Sequence, residues 1–92
     1  MPAHPLPAIL DTSAAGPLRH ALLARIEQSA PLHLDGAEVT RAGLACLQVL
    51  ASARATAAAQ GIGFRIDNAS DPLTRMIALA RLDVALDPVR GA

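Results

Sequence analysis

The chain has 92 residues and a mass of 9.5 kDa, room for one domain and one modest core. It is 52% hydrophobic and 17% charged but holds one Phe, no Tyr and no Trp, so the core is built from Ala, Leu, Ile and Val, which favours closely packed helices over a wide ligand cavity. Its 8 basic residues, all arginine, balance 8 acids to a net charge of zero, which leaves no basic stripe for a phosphate backbone and excludes nucleic-acid binding.

Residues 1–8 carry prolines at positions 2, 5 and 7, which deny helix and deny a central strand. The segment is expected to be an extended tail or an edge strand ending at Ile9-Leu10. It has no basic leader, and no run of about 18 apolar residues follows anywhere, so the expected compartment is the cytoplasm, without direct membrane insertion.

Asp11-Thr12-Ser13 supplies side-chain oxygens for the free amides of a helix from about Ala14 to Gln28, with Pro17 close enough to its start to be tolerated. Ala15, Leu18, Leu22 and Ile26 recur along one face. Pro31 to Asp35 alternates as a short strand, with Leu32 and Leu34 on one face and His33 on the other, and Asp35-Gly36 closes it.

Ala42 to Gln60 is rich in Ala and Leu and predicts the longest helix, ended by Gly61, a residue suited to a left-handed cap. One apolar line is Leu44, Leu47, Ala51, Ala55 and Ala58, with Cys46, Val49, Leu50, Ala53 and Ala57 beside it. Such a helix is deeply buried or offers one face to a partner.

Ile62 to Asp67 alternates again as a strand with Ile62, Phe64 and Ile66 on one face, and Asn68-Ala69 turns the chain. Ser70 then caps a third helix that has Asp71 and Pro72 in its first turn, carries Leu73, Met76, Ile77 and Ala80 inward, and stops near Leu82. Asp83 to Pro88 is expected as a short edge strand or an irregular tail, and 88–92 as a C-terminal tail. The alternation of strands and helices predicts an α/β fold in which parallel neighbours are joined by helical crossovers.

No enzyme site can be assembled. Cys46 sits in an apolar helical pattern, where a free cysteine behaves as a small hydrophobe. His4, His20 and His33 lie on different elements without partners at metal spacing. Gly61-Ile62-Gly63 lacks the third glycine and the strand-to-helix setting of a dinucleotide loop, so no cofactor is expected.

The run Leu34-Asp35-Gly36-Ala37-Glu38-Val39-Thr40-Arg41-Ala42-Gly43-Leu44, the Ala-rich helix after it, Gly61, a strand and Asn68-Ala69-Ser70 resemble STAS domains, the anti-sigma-factor antagonist type. Leu10-Asp11 resembles the Leu-Asp before that family's first helix, and the resemblance spans residues 9–87. It implies a small, mostly parallel or mixed sheet of about four strands with three main α-helices.

It also implies a protein-binding surface at the loop before the second helix and that helix's first turn. The family motif Asp-Ser-Ser/Ala-Gly-Leu falls on Thr40, Arg41, Ala42, Gly43 and Leu44. The serine that many members phosphorylate is therefore replaced by Ala42, which has no hydroxyl. Thr40 remains as an off-register phosphoacceptor, although a Thr just ahead of a helix is more simply read as an N-cap.

Arg41 opposes the helix dipole by a few tenths of a kcal/mol, as a binding or a solvated arginine would. Asp11 and Asp35 both follow strands, where crossover folds place ligand sites, and both also suit a helix start or a turn; Asp11 is expected with Thr40 to Leu44 at the partner-binding surface. The partners implied are an anti-sigma kinase, a histidine-kinase-like protein or another signalling protein, such as one of a chemotaxis pathway. The alternative is the ATPase of a lipid-trafficking ABC transporter, whose small STAS subunit also carries Ala before Gly-Leu.

Overall fold

The computed structural model describes residues 3–89 and Gly91. Positions 1, 2, 90 and 92, which belong to the expected terminal tails, lie outside the described residues. The elements in order are β1 (His4–Pro5), β2 (Ile9–Leu10), α1 (Thr12–Glu27), β3 (Leu32–Asp35), β4 (Arg41–Ala42), α2 (Leu44–Ala59), β5 (Phe64–Asp67), α3 (Asp71–Leu79) and α4 (Asp83–Leu86).

Among the described residues the strands β1 to β5 pair in parallel, in two ladders. β3 lies between β1 and β5, with Leu34 beside His4 and Ile66, and β2 pairs with β4, with Ile9 beside Arg41 and Leu10 beside Ala42. The α/β class and the parallel crossovers are as expected, but the strands do not form one sheet of about four.

The division occurs in the proline-rich segment. The Leu6 amide donates to the Asp35 carbonyl at 2.8 Å, extending the β1–β3 contact. The chain then changes partner, and the Ala8 carbonyl accepts from Thr40 N at 2.8 Å and Arg41 N at 3.2 Å.

Leu32, Leu34 and Ile66 turn one face of the three-stranded ladder into the core, joined by Leu18, Leu22 and Ile26 of α1, Cys46, Leu47, Leu50, Ala53 and Ala57 of α2, and Leu73 and Ile77 of α3. Burying each large aliphatic side chain contributes roughly 1.5–3 kcal/mol. On the other face His33, Asp35 and Asp67 are half-buried and Arg65 is exposed. Arg65 pairs with Asp67 at 2.8 Å, a surface contact that contributes little.

Of the two apolar lines on α2, the one through Cys46, Val49, Leu50, Ala53 and Ala57 is buried except at Val49, which is half-buried. In the other, Leu47 alone is buried, Ala51 is half-buried, and Leu44, Ala55 and Ala58 face outward. Ile62 N to Ala57 O at 2.8 Å and Gly61 N to Ala58 O at 3.1 Å close the helix, with Gly61 at φ 70° as its left-handed cap.

The same paired bonds end α1 and α3, but there the left-handed residues are Ser29 at φ 55° and Arg81 at φ 59°. After Arg81 the chain enters α4, so Asp83–Leu86 is a short helix and neither an edge strand nor an irregular tail. Arg54 of α2 holds it: its guanidinium donates to the Leu86 carbonyl at 2.8 Å and lies 5.8 Å from the Phe64 ring centroid. Beyond α4, Val89 N donates to Ile66 O and Ala69 N to Val89 O, both at 2.8 Å, along the free edge of β5.

Candidate functional site

β2 and β4 run side by side and each leads directly into a helix, so the N-termini of α1 and α2 emerge next to each other. Between them is a shallow depression of about 200 Å³ lined by Leu10, Asp11, Thr12, Arg41, Ala42 and Gly43. The structure thus brings Asp11 together with Arg41, Ala42 and Gly43. Leu44 stands at the start of α2 with 54% of its surface exposed.

Thr40 is placed differently. Its hydroxyl donates to the Ala8 carbonyl at 3.1 Å, which already accepts the Thr40 and Arg41 amides. It does not cap α2. That helix starts at Leu44 with Gly43 as its N-cap and no side-chain cap, because Arg41 and Ala42 are taken up by pairing with Ile9 and Leu10. The N-cap expectation for Thr40 is therefore corrected.

Asp11 is the N-cap of α1. Its carboxylate accepts from the Ser13 hydroxyl at 2.6 Å and from the Ala14 amide at 3.3 Å. The Ser13 hydrogen bond is the chief cause that holds this carboxyl below its ordinary value of 3.8; desolvation opposes it, and neighbouring backbone amides assist. Asp35 accepts from Ala37 N at 2.9 Å, as a turn residue does, and stands at the end of β3 rather than in the depression.

Behind the depression, the buried Cys46 thiol donates to the Asp11 carbonyl at 3.2 Å. Burial, reinforced by the Asp11 charge, pushes its pKa up, so the thiolate that reactive chemistry needs is disfavoured. Among the described residues no cluster of His, Cys, Asp and Glu could hold a metal ion.

Ile9 is the residue that the sequence-based reading of this site missed. It is 47% exposed and pairs with Arg41 across the β2–β4 ladder, so an apolar side chain flanks the arginine. The signal lay in Ile9-Leu10: adjacent residues of a strand face opposite ways, and Leu10 takes the core. A larger open groove, about 450 Å³, runs between α1 and α2, and none of the sequence-predicted site residues lines it.

Parallel strands joined by helical crossovers, with two helix starts side by side, define a small α/β module. The family model described as "Mlab, STAS domain" matches residues 6–88, and the chain belongs to the STAS domain family. Members of that family are typically non-catalytic domains that mediate protein–protein interactions. Comparison with curated proteins finds none that matches.

Proposed function

We propose that this chain is a protein-binding adaptor without enzymatic activity that docks a partner through Thr40, Arg41, Ala42, Gly43, Leu44 and Asp11, with Ile9 extending the surface. The observation that carries the reading is that two exposed aliphatic side chains accompany Arg41: Ile9, 47% exposed and paired with it across the β2–β4 ladder, and Leu44, 54% exposed at the start of α2 three residues further on. Arginine is enriched at protein interfaces, and their buried cores are more apolar than the rest of the surface. α2 also begins on an uncapped glycine, a local stability left unused where docking is proposed.

The partner in this reading is a cytoplasmic signalling protein: an anti-sigma kinase, a histidine-kinase-like protein or a component of a two-component or chemotaxis pathway. Ala42 lacks the hydroxyl of the usual switch, so docking is constitutive or is controlled in the partner. Thr40 is the candidate phosphoacceptor. A phosphate there, at about two negative charges, would face the Ala8 carbonyl and oppose β2–β4 pairing. The Ala42-Gly43-Leu44 run favours the second reading, a structural STAS subunit that binds the ATPase of a lipid-trafficking transporter. Among the described residues no helix is long and apolar enough to cross a membrane.

The test is affinity capture from native lysate with the wild type and Leu44→Asp. An aspartate in the first helical turn suits the dipole, so folding stability should stay within about 0.5 kcal/mol while capture falls roughly tenfold. Undiminished capture by Leu44→Asp rejects the site. Recovery of a kinase-like protein supports the signalling reading, and recovery of a transporter ATPase supports the second. Intact-mass analysis after kinase treatment tests Thr40: a phosphate that survives Thr40→Ala sits elsewhere.

A further inference from the structure

The loop ahead of α2 is held by a side chain from outside it. Ser70, the N-cap of α3, accepts from the Leu73 amide at 3.2 Å and donates its hydroxyl proton to the Val39 carbonyl at 2.6 Å. A hydroxyl has one proton to give and two lone pairs, so the same atom closes α3 and pins the loop. The Ser70 amide adds a bond to the Gly36 carbonyl at 3.1 Å.

The loop start is pressed against α3. At Gly36 a Cβ would stand 2.7 Å from Leu73 Cδ2 and 3.3 Å from the Ala69 Cα, so no other residue fits without movement. Val39 is buried, and one residue later the chain is held from the opposite side by Ala8. The peptide joining Val39 to Thr40 thus lies between two anchors, and its orientation sets how Arg41 enters β4.

We propose that Ser70 is a positioning residue for the docking surface: its hydroxyl, bonded to the Val39 carbonyl, fixes the direction in which Thr40 and Arg41 are presented. The proposal deepens the docking reading above and rests on it for its functional consequence. A residue that acted only as the cap of α3 would be replaceable by any good N-cap.

That difference is the experiment. Ser70→Asp keeps an acceptor for Leu73 N but has no proton for Val39 O, Ser70→Gly serves as a cap without a side chain, and Ser70→Thr keeps both bonds. Amide hydrogen exchange is measured at Val39, Thr40 and Arg41 and compared with that across α3. The same variants, with a photo-reactive residue at position 44, are cross-linked in cells.

Exchange about tenfold faster in the loop than in α3 for Ser70→Asp and Ser70→Gly, a lower cross-link yield in both, and near wild-type behaviour for Ser70→Thr establish the positioning role. Unchanged loop exchange, equal acceleration of loop and α3, or fast loop exchange with a wild-type cross-link yield overturns it. A wild type that gives no cross-link at position 44 overturns the docking reading instead. The two failures are distinguishable because exchange needs no partner.

Discussion

Ser29 and Arg81 occupy the position that Gly61 occupies at the end of α2, in the left-handed region that a Cβ disfavours. Ser29→Gly and Arg81→Gly should each stabilise the fold by about 0.5–1 kcal/mol, and Gly61→Ala should destabilise it by a similar amount, all readable in denaturant midpoints. At Asp11 the folded carboxyl titrates below its unfolded value, so its stabilisation is complete above that unfolded value and disappears as pH falls through the lower folded one. Asp11→Asn should therefore flatten the stability–pH curve below about pH 4, and an unchanged slope would contradict the Ser13–Asp11 contact. Cys46 should stay unreactive toward a thiol reagent until the protein unfolds, given its burial and raised pKa.

Among the elements, β3 and β5 were legible because Leu32/Leu34 and Phe64/Ile66 alternate, and the end of α2 because Gly61 follows an uninterrupted run of helix formers. The start of α2 was not. Thr40-Arg41-Ala42 has the composition of a helix start, and only pairing with Ile9 and Leu10, more than thirty positions away, makes Arg41–Ala42 a strand. α4 was hidden for a similar reason: four residues without a side-chain cap carry no periodic signal, and the helix exists because Leu86 is buried and Arg54 holds its last carbonyl. Arg54→Met should therefore cost about 2 kcal/mol in a denaturant titration, from a charged hydrogen bond and a cation–ring contact. A change under about 0.5 kcal/mol would mean that α4 is held by packing alone.

At the scale of the molecule, the STAS fold puts two helix starts side by side, and the resemblance pointed to one of them from the Ala42-Gly43-Leu44 run. Asp11 was expected at the same surface, but the exposure of Ile9 was not legible, since it depends on the ladder formed by the proline-rich segment. The docking claim is tested most directly by placing a photo-reactive residue at positions 9, 41 and 44 in turn, with the exposed positions 20 on α1 and 75 on α3 as controls, and cross-linking in cells. Discrete adducts with one protein from 9, 41 and 44, and none from 20 or 75, are the predicted result. Adducts from 20 or 75 with none from the other three would contradict the account.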